Sequence, residues 1–344
     1  MIRDYIDYFS TGAYEGVWQE LEETHHAVTE RDFNPKSITN NVVKQNPYHH
    51  ENVMNHIMMV FLEAEEFGKE VQQLALLHDI AKPYMRYYIE EKQRARFTGH
   101  EYGSALFSVN FLKERYPDKV LSFLKVISMH IMAYTGNPYE YDLDEYEIDL
   151  LKKLNTADNR GRFSDDPKEM KFENWVPVED QTEVTGDKLY EILIGIPGSG
   201  KSSYTNELPV KAKVFSTDAR MEEIANAKFG IVDNYNEAFN AMSSSNLNWV
   251  GHTVDDSLRE LRETNHVVLD ATNLTKKKRG NIAKRARREG ARVKYVMFWR
   301  DFQDCLACRS DGDKTIPNGV WKRMISSFTY PSSKEYDEIE HVVV

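Results

Sequence analysis

The segment that most constrains the fold is Gly195–Ser202, which has the sequence G-I-P-G-S-G-K-S. It matches G-x-x-x-x-G-K-[ST], a loop whose backbone N–H groups wrap around the phosphates of a nucleoside triphosphate. Residues 189–194 (LYEILI) precede it with the pattern of a buried strand, and a polar helix start follows it. That frame favours a strand–loop–helix unit over a chance glycine turn. It predicts an α/β domain that binds ATP and Mg²⁺.

Each part of this loop has a physical role in phosphate binding. Glycines let the backbone approach the phosphates and adopt positive φ. Lys201 would reach the β- and γ-phosphates, and the Ser202 hydroxyl would be a ligand of Mg²⁺. The ATP-binding residues predicted in the loop are Gly195, Pro197, Gly198, Ser199, Gly200, Lys201 and Ser202.

Charge divides the chain into two parts. Residues 187–344 contain 24 basic and 22 acidic residues, whereas residues 1–186 contain 20 and 33. Such asymmetry is a domain signal. Residues 159–187, with two prolines, two glycines and many acids, have the composition of a linker. We therefore expect an all-α domain at 1–180, with an N-terminal cap and the linker, and an α/β domain with a parallel sheet at 187–344.

The composition favours a cytoplasmic protein with no membrane partner. No apolar run approaches the ~20 residues of a membrane span, and the first residues show no apolar signal core. Two cysteines cannot crosslink a chain of 344 residues, so a reducing compartment is expected. Cys305 and Cys308 form a C-x-x-C pair, which we interpret as ordinary helix residues.

Residues 46–160 have apolar residues at helical spacing, in 53–67, 71–80, 102–112, 120–132 and 146–154. Histidines and aspartates interrupt these apolar helices at His56, His78, Asp79, His100, His130 and Asp158. Any one of them alone would more often be a core or capping residue. Burying several without partners would cost several kcal/mol, which a divalent metal would offset. The pattern therefore predicts a metal site.

These residues resemble a known family. The spaced pattern His56…His78-Asp79…Asp158 resembles the HD phosphohydrolase superfamily. The segments 46–49 (NPYH), 77–83 (LHDIAKP) and 99–101 (GHE) resemble its nucleic-acid-processing branch, seen in some bacterial tRNA nucleotidyltransferases. The resemblance covers residues 46–160 and implies hydrolysis of phosphate esters.

The same resemblance implies a ligand set of one or two divalent transition metals, with Mn, Co, Ni, Zn and Fe all open. One ion would be held by His56, His78, Asp79 and Asp158. A second would be completed by His100 and His130, with Asp79 bridging. Lys82 would contact the substrate phosphate.

In the C-terminal half, three more segments predict strands, at 213–220, 267–274 and 293–299, and the first two end in polar residues. Because open α/β sheets place ligands at the carboxyl ends of their strands, the polar residues that follow are candidates for catalysis. Asp218 is the natural base for a hydroxyl acceptor, and Arg220 could bind an adjacent phosphate. Asp270 would support the metal or orient the loop. A helix N-cap at Ser216-Thr217-Asp218 is the alternative.

The segments 216–220, 269–274, 313–317 and 321–324 resemble the 5′-OH polynucleotide kinase family. That resemblance, from about residue 188 to the end, implies that Asp218 deprotonates a 5′-OH and Arg220 holds the phosphate on its 3′ side. Arg309 is the best candidate for the lid arginine that clamps the ATP phosphates, although Cys305 stands where a second lid arginine is common. The predicted substrate-binding residues are Arg220, Asp270, Asn273 and Arg323.

The whole chain resembles fusions of an HD domain with a polynucleotide kinase, which heal broken nucleic-acid ends. The resemblance implies removal of 2′,3′-cyclic, 2′- or 3′-phosphates and phosphorylation of 5′-OH ends, on RNA or DNA, for a separate ligase. A nucleoside kinase fused to a nucleotide phosphohydrolase and a non-enzymatic NTP sensor are the alternatives. Residues 276–294, with ten basic residues and one acid, would be either a solvated helix face or an electrostatic funnel for a polyanion.

Overall fold

A computed structural model describes residues 53–92, 94–162, 170, 172–178, 186–231, 234–309 and 314–344. The predicted cap at 1–45, the 46–49 segment, most of the linker and Asp313 lie outside the described residues. The chain separates into two compact units, Met1–Val178 and Glu179–Val344. Among the described helices, none combines the length and the apolar character needed to cross a bilayer.

The N-terminal unit is built mainly of helices, as the sequence predicts. Its helices are α1 (Val53–Glu63), α2 (Lys69–Leu77), α3 (Lys82–Met85), α4 (His100–Phe107), α5 (Val109–Arg115), α6 (Val120–Ser128), α7 (Met132–Thr135) and α8 (Glu145–Arg160). Their apolar faces form one core, in which Ile57, Leu74, Leu106, Phe123 and Leu151 are fully buried. The predicted helix 102–112 is in fact two helices that meet at Ser108.

One feature of this unit departs from the all-helical prediction. The antiparallel strands β1 (Tyr87–Ile89) and β2 (Arg94–Arg96) form a hairpin between α3 and α4, with Tyr87 opposite Arg96. Each strand has only three residues, and charged side chains dominate the segment. Neither the length of these segments nor an alternation of apolar residues therefore predicted strands there.

Helix α8 carries Asp158 and has a well-defined start. The Asp144 carboxylate accepts from Glu147 N at 2.8 Å, and Asp144 N donates to the Glu147 carboxylate at 3.0 Å. This reciprocal pair is a capping box, which satisfies backbone donors that the first turn leaves unpaired. From that start α8 runs 16 residues and ends beside the N-terminal unit's histidines.

The C-terminal unit is a five-stranded parallel sheet with helices between the strands. The strands are β3 (Lys188–Ile194), β4 (Lys213–Ser216), β5 (His266–Asp270), β6 (Ala291–Trp299) and β7 (Glu338–Val343), in the spatial order β4-β5-β3-β6-β7. All four neighbouring pairs are parallel. The parallel sheet predicted from four apolar runs is confirmed, and β7 is an additional strand at its edge.

The helices of this unit are α9 (Lys201–Glu207), α10 (Thr217–Phe229), α11 (Tyr235–Ser244), α12 (Trp249–Glu260), α13 (Lys276–Arg288), α14 (Phe302–Ala307) and α15 (Asn318–Ser327). The sheet core contains Leu193, Val268, Val296 and Phe298. The phosphate-loop motif follows the central strand β3, and β4 and β5 end beside it. The topology thus collects the polar ends of three strands at one edge, where open α/β sheets bind ligands.

Candidate functional sites

The N-terminal unit brings all six predicted metal ligands together. His56 comes from α1, His78 and Asp79 follow α2, His100 begins α4, His130 follows α6 and Asp158 lies near the end of α8. Two groups of three have ligand atoms close enough to share an ion: His56, His78 and Asp79, and Asp79, His100 and His130. We call the six residues the Asp79 cluster, because Asp79 is common to both groups.

The Asp79 carboxylate is the geometric centre of this cluster. Its Oδ2 lies 3.1 Å from His78 Nε2 and 3.4 Å from His56 Nε2. Its Oδ1 lies 3.2 Å from His100 Nε2 and 3.6 Å from His130 Nε2. The two oxygens of one carboxylate therefore face two different pairs of histidines, an arrangement suited to bridging two cations.

Asp158 completes the first group from the other side. Its Oδ1 lies 3.0 Å from His56 Nε2 and 3.9 Å from His78 Nε2. Behind it, Arg162 Nη2 is 3.6 Å from Asp158 Oδ2 and donates to the Tyr134 hydroxyl at 3.3 Å. Arg162 thus holds the outer carboxylate oxygen while the inner one faces the histidines.

The ring orientations test whether these residues fit a metal. Nδ1 of His78, His100 and His130 donates to the backbone carbonyl three residues earlier, in Ala75, Phe97 and Ile127, at 2.8 Å each. In a neutral imidazole the second nitrogen then carries a lone pair. A ring N–H held by a backbone carbonyl is the usual orientation of a metal-ligating histidine.

These lone pairs point at other acceptors. His78 Nε2 is buried and has no hydrogen-bond partner among the described residues, although Asp79 Oδ2 is 3.1 Å away. His100 Nε2 and His130 Nε2 face each other at 3.2 Å. Acceptors at these distances repel unless protons or cations lie between them, and several buried imidazolium ions would be costly. The donor set fits divalent metal ions.

Both carboxylates of the cluster stay ionised. Burial by itself would raise the pKa of Asp79, but positive charge beside it, on Lys82 and on His78, His100 and His130 when protons or cations occupy their Nε2 atoms, outweighs burial and holds that pKa well below its usual range. Burial likewise opposes a low pKa for Asp158, and His56, His78 and Arg162 overcome it. Lys82 Nζ lies 2.5 Å from Asp79 Oδ2. The predicted phosphate-binding lysine therefore lies directly against the cluster.

In the C-terminal unit, the phosphate loop has the backbone that its glycines permit. Gly198 and Gly200 have φ of +78° and +101°, in the left-handed region that favours glycine. A Cβ on Gly198 would lie 3.1 Å from the Cys305 carbonyl oxygen, so the loop also packs closely against α14. Pro197, Ser199 and Ser202 occupy their predicted positions in this loop, and Ser202 is exposed at the start of α9.

Lys201 is held by the loop itself. Its Nζ donates to the carbonyl oxygens of Gly195 at 2.9 Å and Ile196 at 2.8 Å. Burial lowers the pKa of Lys201, and the carboxylates of Asp270 and Asp218 oppose that shift. Asp218 and Asp270 therefore lie near enough to Lys201 to interact with its charge, so the structure brings these three predicted residues together.

Asp218 lies on the first turn of α10 and does not cap the helix. The N-cap is Ser216, whose hydroxyl accepts from Ala219 N at 3.4 Å. The helix N-cap given as the alternative for this segment is therefore present at Ser216, and it leaves the Asp218 carboxylate outside the capping interaction. The Asp218 side chain is exposed, so a substrate hydroxyl group can reach it.

Asp270 ends β5 opposite Ser216 of β4. Burial raises its pKa, Lys201 opposes the rise and the neighbouring Asp218 charge adds to it. Two carboxylates and one lysine thus share this corner of the sheet. Such a set of interacting, partly buried charges is typical of catalytic sites.

Tyr235 and Lys314 belong to this corner as well, and the sequence did not single out either of them for a role. Burial and the charge of the nearby Asp218 carboxylate raise the pKa of Tyr235. Lys314 Nζ lies 4.4 Å from the centre of the Tyr235 ring and 3.0 Å from Glu222. A tyrosine at a helix start is more often a core residue, so only the fold reveals its contact with the candidate base.

The remaining predicted residues differ in how the structure places them. Arg309 is partly buried, and its charge contributes to lowering the pKa of Lys201 after burial. Arg220 pairs with Glu223 at 2.7 Å and Asp256 at 3.3 Å, so binding a phosphate would require it to exchange these partners. Arg323 is exposed on α15.

Asn273 has a structural role beside the phosphate loop. Its side chain is buried, and its Nδ2 donates to Leu193 O at 2.9 Å. Its φ is +45°, the only positive value at a non-glycine position in the part of the chain that the structure describes. Asn273 therefore shapes the turn beside the phosphate loop, and its binding of substrate stays a prediction.

The predicted basic run is divided between three environments. Arg279 is fully buried, and its guanidinium bonds to the carbonyls of Asn273, Leu274 and Thr329 and to the Glu335 carboxylate. Further along α13, Arg285 pairs with Asp255 and Arg287 with Asp337. Lys276, Lys277 and Lys278 are exposed in the first turn.

Comparison with known proteins agrees with the α/β architecture. A family model described as an AAA domain matches residues 191–331, the part of the chain that contains the phosphate loop. No curated protein matches. The C-terminal unit is thus a P-loop α/β domain.

Two solved structures resemble part of the chain. A protein from Chloroflexus aurantiacus named as a candidate kinase has 11% identity and a TM-score of 0.34, covering 46% of this chain and 86% of its own. The tunicamycin resistance protein of Deinococcus radiodurans has 14% identity and a TM-score of 0.28, covering 41% and 79%.

Proposed function

We propose that this chain is a bifunctional enzyme that heals nucleic-acid ends. Its N-terminal unit would hydrolyse 2′,3′-cyclic, 2′- or 3′-phosphate ends, and its C-terminal unit would phosphorylate 5′-OH ends with ATP. The observation that carries the proposal is the Asp79 cluster, in which one carboxylate faces two pairs of histidines in the same chain as a P-loop domain. This cluster also supports the resemblance of residues 46–160 to HD phosphohydrolases.

In the C-terminal unit, phosphoryl transfer needs a base for the acceptor and positive charge for the donor. Asp218 would accept the proton of the 5′-OH. The hydroxyl oxygen would then bond to the γ-phosphorus as the bond to ADP breaks and ADP leaves. Lys201 would exchange the Gly195 and Ile196 carbonyls for phosphate oxygens. Bound Mg²⁺, with Ser202 as a protein ligand, would neutralise phosphate charge. Arg309 would approach the same phosphates from the turn that follows α14.

In the N-terminal unit, His56, His78, Asp79, His100, His130 and Asp158 would hold the metal. A bound divalent metal would supply Lewis-acid activation of water and of the phosphate ester. Lys82, held by Asp79 at 2.5 Å, would place its ammonium group against the phosphate. Arg162 would keep Asp158 oriented towards the histidines.

The lysines that begin α13 favour a polynucleotide over a mononucleotide acceptor. Lys276, Lys277 and Lys278 oppose the positive end of the helix dipole, and no acidic residue occupies that turn. They follow the loop after β5, so they lie at the edge of the sheet that carries the phosphate loop. An exposed cationic group beside a phosphoryl-transfer site fits an extended polyanion.

This assignment predicts a specific effect of neutralising the three lysines. Replacing Lys276, Lys277 and Lys278 together by glutamine is expected to raise KM for a 5′-OH oligonucleotide roughly tenfold near 0.1 M salt, and to flatten its salt dependence. KM for ATP should stay unchanged. Because the change relieves an unfavourable helix-end charge, stability should not fall.

Lys284→Gln, on the exposed side of the same helix, is the matched control and should behave as the unmodified protein. Steady-state kinetics with an oligonucleotide and with a 3′-mononucleotide acceptor measure both effects. An equal loss with the two acceptors would favour the alternative, a nucleoside kinase fused to a nucleotide phosphohydrolase.

The whole proposal is tested with one substrate. An oligonucleotide with a 5′-OH and a 2′,3′-cyclic phosphate is incubated with the protein, ATP, Mg²⁺ and each of Mn²⁺, Co²⁺, Ni²⁺, Zn²⁺ and Fe²⁺. Transfer of labelled γ-phosphate to the 5′ end and opening or loss of the cyclic phosphate are expected. Turnover of mononucleotides alone, or of neither substrate, would refute end healing.

A further inference from the structure

The hairpin between α3 and α4 has no part in the site described above. We propose that residues 86–92 and 94–96, here called the basic hairpin, bind the nucleic-acid strand that leads into the Asp79 cluster. The inference rests on the proposed function, because it assigns the substrate contacts of that phosphoesterase site. It goes further by naming a surface that would distinguish a polynucleotide from a mononucleotide.

The basic hairpin carries a net positive charge. Residues 86–96 contain four basic and two acidic residues, within a region, 1–186, where acids exceed bases by 13. Arg86, Lys92, Arg94 and Arg96 are the basic residues, and Arg96 and Lys92 are exposed. A locally positive surface on an otherwise acidic unit directs a polyanion to that place.

The register of the two strands decides which side chains share a face. Tyr87 is directly opposite Arg96, and Ile89 is opposite Arg94, so these four side chains share one face. Tyr88 and Ala95 share the other face, where Ala95 is buried. The face with Tyr87 therefore presents a tyrosine beside the exposed Arg96, with Arg94 half-buried next to them.

The aromatic ring of Tyr87 is exposed to solvent. Tyr87 is 69% exposed, the highest value of any aromatic side chain in the part of the chain that the structure describes. An exposed ring beside arginines is the arrangement with which proteins bind single strands, since bases stack on the ring while cations meet the phosphates. A mononucleotide would not need both a stacking ring and a neighbouring cation outside the site.

The basic hairpin is connected at its base to residues of the Asp79 cluster site. The hairpin begins four residues after Lys82, which contacts Asp79, and ends four residues before His100. Lys82 Nζ also lies 5.8 Å from the centre of the Phe97 ring, and the Phe97 carbonyl accepts from His100 Nδ1 at 2.8 Å. The base of the hairpin thus joins two residues of the site, which places a bound strand next to the cluster.

The test uses the full chain with Tyr87→Ala and Arg96→Ala, two exposed positions where folding should tolerate the change. KM for an oligonucleotide ending in a 2′,3′-cyclic phosphate is expected to rise roughly tenfold to a hundredfold in Tyr87→Ala. KM and kcat for a 2′,3′-cyclic mononucleotide should stay within about twofold of the original values. Tyr87→Phe, which keeps the ring, should restore oligonucleotide KM.

For Arg96→Ala, the oligonucleotide KM should also rise, and its dependence on salt should weaken by the equivalent of about one phosphate contact. Arg115→Ala, an arginine of the same unit with a side chain 38% exposed, is the matched control and should change nothing. An equal effect on oligonucleotide and mononucleotide, or no effect in either variant, would overturn the assignment.

A second measurement separates this inference from the function on which it rests. An oligonucleotide with a photoreactive uridine next to its 3′ end is crosslinked to the protein, and the labelled peptide is identified by mass spectrometry. Crosslinking to the peptide that contains Tyr87 supports binding of the strand by the basic hairpin. If the oligonucleotide is crosslinked there but not hydrolysed, end healing alone is refuted. Hydrolysis with crosslinks only elsewhere would refute the hairpin alone.

Discussion

Replacing Asp218 by asparagine is expected to lower kcat for phosphorylation of a 5′-OH oligonucleotide by roughly 10²- to 10⁴-fold, the usual contribution of a positioned general base. Asparagine keeps the shape of the side chain and cannot take the proton of the attacking hydroxyl. Because Ser216 caps α10, the change removes no helix-capping interaction. The loss should therefore appear in kcat with little change in stability.

The phosphoesterase activity of the same variant should be unchanged, because Asp218 belongs to the other unit. Asp255→Asn is a suitable control, since Asp255 is an exposed carboxylate of α12 that pairs with Arg285. Transfer of labelled phosphate under saturating ATP measures the effect. Full activity of Asp218→Asn would remove Asp218 as the base and leave Asp270 as the carboxylate to examine.

Replacing Asp79 by asparagine should abolish hydrolysis of 2′,3′-cyclic phosphate ends, with activity falling by a factor of about 10³ or more, because both metal groups share this carboxylate. Asparagine offers one neutral oxygen where the original residue offers two charged ones. We expect purified Asp79→Asn to retain less than about a tenth of the metal found in the unmodified protein.

The readout that does not depend on activity is thermal unfolding with and without added Mn²⁺. The unmodified protein should unfold at a higher temperature when the metal is present, since a ligand that binds only the folded state stabilises it. Asp79→Asn should lose this shift, whereas Asp149→Asn, on the exposed side of α8, should keep it. A preserved shift in Asp79→Asn would contradict the bridging role of this carboxylate.

The sequence predicted most of the architecture because its signals there are local. The phosphate loop and the four apolar strands of the C-terminal unit are continuous runs, so periodicity and motif locate them. Strand β7 was missed because Glu338, Glu340 and His341 interrupt its apolar residues at the edge of the sheet. The basic hairpin was missed for the related reason that its strands are short and charged.

The candidate sites were predictable where a residue type is tied to its neighbours in sequence, or where a spaced pattern resembles that of a family, as for His56, His100, His130 and Asp158. His78-Asp79 and the loop lysine carry such signals. Tyr235 acquires its contact with Asp218 from the packing of α10 against α11, which no spacing reveals. The basic run is the clearest limit: Arg279 and Lys278 are adjacent and of the same charge, yet one is fully buried and the other exposed.

The buried position of Arg279 has a consequence for how the C-terminal unit folds. Its guanidinium joins the turn at Asn273 and Leu274 to Thr329 and Glu335, more than 50 residues later in the chain. If either segment opened locally, it would leave a charge buried without its partners, a cost of several kcal/mol. The turn beside the phosphate loop and the end of the domain should therefore open only together. In hydrogen-exchange terms the two segments form one cooperative unit.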